Sequence, residues 1–207
     1  MKEKYHMFKI LVPVTIVASS MACMANAETK IHANYLSNNI KVGSLGKISA
    51  DGYGVGIEFR GDTKLSTSIG YSSISEAGLT LSQFSTQLAY DLLNDLDVTA
   101  GTGRRLQADI GYATSELKAS STSATVNDDY FIAGLEYELA IAPNLSMGLG
   151  VAGIVDDFVP TYGAGIGYAV GNGTVSAKYA FSEETIGTTK IEVTGFTIGY
   201  SYGFWLL

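Results

Sequence analysis

Phe196-Thr197-Ile198-Gly199-Tyr200-Ser201-Tyr202-Gly203-Phe204 alternates large apolar residues with Thr, Gly and Ser without a break. Successive side chains of a β-strand point to opposite faces, so this stretch has one apolar face and one face of small residues. The same division recurs upstream. Tyr53, Val55, Ile57 and Phe59 oppose Gly54, Gly56, Glu58 and Arg60. Phe131, Ala133, Leu135, Tyr137 and Leu139 oppose Gly134, Glu136 and Glu138. Tyr162, Ala164, Ile166, Tyr168 and Val170 oppose three glycines, and Val175, Ala177, Tyr179 and Phe181 oppose Ser176, Lys178 and Ala180. A soluble sandwich would bury its apolar face and carry long charged residues outside. Here the polar face is mostly Gly, Ser, Thr and Ala, which suits a crowded lumen whose outer wall meets lipid. Aromatic residues also gather at the strand ends, as at the two interfaces of a bilayer.

Working outward, ten such segments are expected near 30–37, 52–60, 64–74, 80–91, 98–115, 130–139, 145–155, 161–170, 174–182 and 191–206. The fold expected is all-β: a transmembrane antiparallel up-and-down β-barrel of ten strands, with eight the alternative if the weakest strands are misread. The joints alternate. Residues 38–51, 117–129 and 183–190 are long and 75–79 and 156–160 are medium, whereas 61–63, 94–96, 140–144 and 171–173 are short and rich in Gly, Asn, Asp and Pro. Short turns belong on the periplasmic side and longer loops outside, and an even strand count returns the C-terminus to the periplasm. Two places break the pattern. Arg104 falls on the lipid-facing parity, where a charge is costly, so a bulge near Gly101-Thr102-Gly103 is expected. Ile191 and Val193 are out of phase with the last strand, so either the register shifts there or that piece belongs to the loop.

The first 27 residues read as a cleavable secretory signal: Lys2, Lys4 and Lys9, an apolar run from Ile10 to Val17 interrupted by Pro13, and Ala25-Asn26-Ala27 as the cleavage site. The run is too short for a membrane helix, which needs roughly 17–25 residues. Residues 28–207 then form one barrel domain. Cys23 leaves with the signal, since Ser20 stands where a lipoprotein signal has a large aliphatic residue; the mature chain has no disulfide and no thiolate metal site. The formal net charge of −7 grows more acidic once the signal is removed, which disfavours nucleic acid as a partner.

The strand rhythm, the stretch Tyr53-Gly54-Val55-Gly56-Ile57-Glu58-Phe59-Arg60 and the aromatic last strand together resemble the small outer-membrane barrels of the opacity, Ail and OmpX type. The resemblance covers the whole mature chain. It implies a Gram-negative outer-membrane location and a role in adhesion or serum resistance. The strand from Phe196 to Phe204 is similar to the signal by which the barrel-assembly machinery recognises its clients, although the chain ends Phe204-Trp205-Leu206-Leu207.

Three constellations are candidates for chemistry. His32, the one histidine after the signal, falls on the lumen parity at the periplasmic start of the first strand. Outer-membrane acyltransferases, lipid deacylases and proteases place a histidine at the opposite end, and no other histidine can serve a Ser/His/acid set, so no enzyme and no cofactor are expected. Glu58, Arg60, Arg105, Asp109, Glu136, Glu138 and Lys178 face the lumen with mixed signs and are expected to pair as a plug, the alternative being a narrow pore for small ions or solutes. Asp128-Asp129, Asp156-Asp157 and Glu183-Glu184 are expected in the outer loops as weak candidates for a divalent cation, without the spacing of a dedicated calcium loop. Lys41 and Lys47 are candidate contacts to lipopolysaccharide phosphates or an acidic host ligand. The expected function is a monomeric, non-enzymatic surface protein in adhesion, colonisation or stress resistance, with a narrow porin the alternative and a lipid-modifying enzyme the third reading.

Overall fold

The computed structural model describes residues 29–43, 46–60, 64–119, 124–155, 159–186 and 188–204. The signal segment with Cys23, the 61–63 turn, Ser120 to Ser123, Asp156, Asp157 and Trp205 to Leu207 lie outside the described residues. The described chain is ten antiparallel strands: β1 Thr29–Val42, β2 Lys47–Arg60, β3 Leu65–Glu76, β4 Leu79–Asn94, β5 Arg104–Ala119, β6 Ala124–Ala142, β7 Leu145–Ile154, β8 Thr161–Val170, β9 Gly173–Ile186 and β10 Thr189–Phe204. Each pairs with its neighbours in sequence, and β1 pairs with β10 from Thr29↔Phe204 to Val42↔Ile191, which closes the barrel. Among the described residues every strand is thus bonded on both edges, as hydrocarbon requires of backbone N–H and C=O groups. The two ends are named as the even strand count implies, with both termini at the periplasmic end.

The alternating residues stand as the pattern requires. Ile31, Tyr53, Val55, Ile69, Leu88, Ile110, Leu135, Leu149, Ile166, Tyr179 and Ile198 are exposed on the outer wall, while Gly, Ser, Thr and the lumen charges point inward. An outer wall of exposed Leu, Ile, Val, Tyr and Phe is stable only against lipid, so the barrel is of the outer-membrane, transmembrane type. Ring contacts between Tyr53 and Tyr71 (6.4 Å) and between Tyr112 and Phe131 (5.4 Å) mark the outer interface.

The joints differ from expectation. β1 and β2 run on to Val42 and Lys47, β5 and β6 to Ala119 and Ala124, and β9 and β10 to Ile186 and Thr189. The three segments read as long loops are mainly strand. The physical reason lies in the side chains beyond the outer aromatic girdle. There the outward residues are Ser37, Asn39, Lys41, Ser49, Asp51, Ser73, Ser75, Ser82, Glu116, Asn127, Asp129, Glu183, Glu192 and Thr194, which look like loop in a sequence but form a wall facing water. Inward at the same height, Leu36, Ile40, Ala50, Ile74, Leu81, Ala113, Tyr130, Ile132, Ala152, Ile154, Ala180, Ile191 and Val193 pack as one buried cluster, and Asn38, Gln83, Ser115 and Ser182 are buried on the same parity. The polarity of the wall therefore inverts where it leaves the bilayer.

This inversion corrects the reading of Ile191 and Val193. The β9–β10 register runs unbroken from Thr189↔Ile186 to Tyr202↔Gly173. Ile191 and Val193 lie on the inward parity with Thr197 and Ser201, and Val193 is fully buried. They are out of phase in hydropathy, not in geometry. Arg104 is corrected as well. Residues 95–103 are not strand but a hydrogen-bonded periplasmic turn, with Asp97↔Thr102 bridged, Arg104 N donating to Asp95 Oδ1 at 2.8 Å, and Gly101 and Gly103 at φ of 72° and 82°. Arg104 is the first residue of β5 and stands at the rim rather than in lipid. The bulge nearest it is in the neighbouring strand, between Asp91 and Leu93.

The inversion predicts a sharp dependence on height. Ile198→Arg should destabilise the folded barrel in vesicles by about 2–4 kcal/mol, as an arginine near the bilayer midplane does, whereas Thr194→Arg, four residues further out on the same outward parity, should cost about 0–1 kcal/mol. Reversible urea unfolding of the two variants compares them directly.

Candidate functional site

The lumen has two zones of different chemistry. In the periplasmic half, β1, β2, β4, β5, β6 and β9 direct ionisable side chains inward. Arg105 reaches Glu138 at 3.2 Å and Glu136 at 3.8 Å across the β5–β6 ladder, where Arg105↔Glu138 and Gln107↔Glu136 are register partners. Arg60 reaches Asp91 at 3.3 Å across β3, and Asn94 donates to the same carboxylate at 2.8 Å. Arg105, Asp91 and Glu138 are almost completely buried. Of the seven charges expected in the lumen, Arg60, Arg105, Glu136 and Glu138 form ion pairs at these distances. Glu58 lies opposite Lys30 in the β1–β2 register. Lys178 is buried on β9, with its stem against Gly165 of the neighbouring strand. Asp109 stands against Gly134.

Two members were missed in the sequence. Lys30 is buried on the inward face of β1, and its Nζ has no hydrogen-bond partner among the described residues. Asp91 is the carboxylate that Arg60 uses. Both lie on the inward parity of their strands, in step with His32 and Ala89 and inside the segments expected near 30–37 and 80–91, so alternation alone was signal enough to find them.

Within the charged zone lies a cavity of about 60 Å³, lined in part by His32, Glu58, Arg105, Gln87, Asp109 and Glu136. That is room for a few waters among many polar groups. His32 packs so closely over Gly56 that a Cβ there would overlap the imidazole. Its Nδ1 is buried and has no hydrogen-bond partner among the described residues, so the base–orienter bond of a nucleophilic triad is not formed there.

The two acidic pairs within the described residues are strand residues, not loop residues. Asp128 and Asp129 lie in β6 and pair with Ser115 and Thr114; Glu183 and Glu184 lie in β9 and pair with Glu192 and Ile191. Neighbours in a strand point to opposite faces, so Asp129 and Glu183 face out while Asp128 and Glu184 face in. Neither pair can chelate one ion. Among the described residues no group of three or more His, Cys, Asp or Glu is placed to hold a metal.

The outer wall instead carries a chain of ion pairs across three strands. Lys41 of β1 bonds Glu192 of β10 at 3.4 Å, Lys190 bonds Glu192 and Glu183 at 2.9 Å each, and Lys47 stands opposite Lys41 at the start of β2. These groups are above the bilayer and solvated. Hydrogen bonds from Lys190 first, and from Lys41, hold the Glu192 carboxyl below the usual carboxylate range; Glu183 and Glu192 hold the Lys190 ammonium above its ordinary value. Such exposed pairs stabilise little and are screened by salt, but they set the two signs of charge side by side on the rim.

No protein-family profile and no curated protein matches the chain. Among solved structures it is similar to the Neisserial surface protein A (13% identity, TM-score 0.47, covering 86% of this chain and 98% of that one). It is also similar to Ail, the attachment invasion locus protein of Yersinia pestis (10%, 0.38, 86% and 100%), and to the Ralstonia pickettii toluene transporter TbuX (11%, 0.41, 87% and 64%). At these scores the likeness concerns barrel architecture and nothing finer.

Two outcomes are expected. Arg105→Met should destabilise the barrel by about 3–5 kcal/mol by leaving Glu138 buried without its cation, and adding Glu136→Gln and Glu138→Gln should recover most of that loss in urea unfolding. At the rim, NMR titration should show Glu192 returning toward the usual glutamate range in Lys190→Gln. The sign follows from the two shifts: the pairing of Glu192 is lost as pH falls through its lowered value, and that of Lys190 as pH rises through its raised one, so the wild-type rim is fully paired between them.

Proposed function

We propose that the protein is a non-conducting, non-enzymatic surface protein of a Gram-negative outer membrane. It is exported by its cleaved signal, inserted as a monomer by the barrel-assembly machinery through β10, and acts at its outer rim in adhesion, colonisation or resistance to host or environmental stress. One observation carries this reading. The lumen is filled twice, by ion pairs in the periplasmic half and by an apolar cluster in the outer half, while the wall continues past the membrane with polar side chains turned outward.

A pore needs a continuous wet path. The near-complete burial of Leu36, Ile132 and Val193 supports a closed path, and an apolar constriction excludes water and ions even where it is wide enough for them. A non-conducting barrel on the surface works by what it presents. What this one presents is a rigid collar with Lys41, Lys47 and Lys190 set among Glu183 and Glu192, suited to phosphates of lipopolysaccharide or to an acidic host ligand.

Planar-bilayer recording of the refolded barrel should give no conductance steps, and Leu36→Ser combined with Ile132→Ser and Val193→Ser should introduce them by wetting the outer seal. Ion-selective steps from the wild type would replace this reading with a narrow porin. In the same preparation, Lys41→Glu with Lys47→Glu should reduce binding of protein-bearing cells to host surfaces several-fold; undiminished binding would remove the β1–β2 tip from the interface.

A further inference from the structure

The charges of the outer wall fall in one register row. Glu183 of β9 is opposite Glu192 of β10, Glu192 is opposite Lys41 of β1, and Lys41 is opposite Lys47 of β2. All four lie on the outward parity, so the row reads acid, acid, base, base across four adjacent strands. Neighbouring strands are about 4.8 Å apart, and like charges directly opposite each other across a strand pair are destabilising. The two acids are relieved by Lys190, which stands two residues further out on β10 and bonds both carboxylates at 2.9 Å. The two lysines have no such relief. Lys41 reaches Glu192 at 3.4 Å, the longest contact of the chain, and among the described residues Lys47 is in no ion pair.

Two ammonium groups on adjacent strands, one loosely held and one free of ion pairs, are complementary to a single dianion. A phosphomonoester carries about 1.5–2 negative charges and three strong acceptor oxygens, so it accepts from both lysines at once. A sulfate ester or a carboxylate brings one charge and leaves the second ammonium unmatched. Lys41, Lys47 and Lys190 against Glu183 and Glu192 also leave one positive charge in excess, on a chain whose formal net charge is −7. Height narrows the ligand further. Lys41 is six residues beyond Tyr35, whose exposed ring stands opposite Tyr53 at the outer interface. At about 3.4 Å per residue and a tilt of about 45°, that places Lys41 about 14 Å above the aromatic belt. A lysine side chain is too short to span that distance, so the phosphate it meets is carried on a saccharide and not at the bilayer surface.

We propose that Lys41 and Lys47 bind a phosphomonoester of a phosphorylated saccharide, and that Glu192 regulates this site by competing for Lys41. The inference rests on the rim reading above and deepens it. An exposed ion pair stabilises little, so Lys41 exchanges Glu192 for phosphate at small cost. Glu192 is shared: its Oε1 takes Lys190 and its Oε2 takes Lys41. The more firmly Lys190 holds Glu192, the freer Lys41 is for the ligand. Lys190 and Glu192 thus set the affinity of the lysine pair without touching the phosphate.

The test uses the full mature chain refolded in neutral maltoside micelles at low salt and slightly alkaline pH, titrated with glucose 6-phosphate and followed by amide chemical shifts. Saturable shifts are expected at Lys41 and Lys47, and glucose 6-sulfate should bind about threefold more weakly or worse. Lys47→Gln should weaken binding about fivefold, and Glu192→Gln should tighten it about two- to fivefold. Glu116→Gln, which removes the same charge from another part of the wall, should leave it unchanged. If Glu192→Gln fails the heat-shift assay for folding, Lys190→Gln reads the same competition with the opposite sign: it leaves Glu192 wholly to Lys41 and weakens binding, whereas Lys118→Gln does not. Binding by Glu192→Gln no tighter than wild type overturns the competition and leaves the rim reading standing. Absence of saturable shifts in both proteins overturns the phosphate site, and the cell-binding loss expected of Lys41→Glu with Lys47→Glu then judges the rim reading by itself. Equal tightening by Glu116→Gln overturns the site in favour of net charge alone. The source of the ligand is read in the same micelles. Lipopolysaccharide with a phosphorylated core displaces glucose 6-phosphate, and a core without phosphate does not, if the leaflet supplies it; displacement by neither assigns it to a saccharide from outside the cell.

Discussion

The β1–β10 pairing is the contact on which everything else rests. Hydrocarbon cannot hydrogen-bond a strand edge, so the chain has no stable form in the bilayer until its first and last strands meet. In this barrel they meet over fourteen register pairs, Thr29↔Phe204 through Val42↔Ile191. The seam is longer than the membrane requires. A bilayer-spanning strand takes about 9–11 residues, and the extra length carries the wall out into water. Once that happens one and the same strand has to satisfy two solvents, and it does so without changing conformation. The lipid-facing parity of β10 passes from Tyr202, Tyr200, Ile198 and Phe196 to Thr194 and Glu192. The inward parity passes from Ser201 and Thr197 to Val193 and Ile191.

Closure, sealing and presentation follow from that single continuity. The part of the lumen surrounded by lipid is polar because a narrow barrel with an apolar outer wall still has inward positions that tolerate charge when the charges pair: Arg60 with Asp91, Arg105 with Glu138 and Glu136. The part surrounded by water behaves like an ordinary small soluble barrel, with its apolar residues inside. Each fully buried Leu, Ile or Val there contributes about 1.5–3 kcal/mol, so the projecting wall is stabilised by a core of its own. The same cluster that lets the collar stand above the membrane also stops water passing through it.

Much of this was legible in the sequence because alternation fixes which face a residue occupies. The fold, the strand number, the inward set Glu58, Arg60, Arg105, Asp109, Glu136, Glu138 and Lys178, and the outward set Tyr53 to Phe59 all follow from parity. Height along the barrel does not. Parity alone could not say that Arg105 stands beside Glu138 rather than a turn away from it, because that depends on the shear of neighbouring strands. Segments such as Asn38 to Lys41, Asn127 to Asp129 and Glu183 to Thr185 read as loop because the apolar-out rule holds only within the bilayer and reverses beyond it. The sign of the reversal was present in Ile191 and Val193. Two β-branched residues on the inward parity, followed by an unbroken strand, are the mark of a wall crossing from one solvent to another.

A pit in the outer wall across β3 to β6 lies at the same crossing. Below it the wall must be aromatic or aliphatic to meet lipid; above it the wall must be polar to meet water. Where a small residue, Thr114, falls at the boundary between Phe84 and Asp129, the two chemistries face each other across a hollow instead of being stacked one above the other. The boundary of the bilayer is thus a height at which aromatic and polar side chains reach the outer wall together, because the wall changes solvent there without changing conformation.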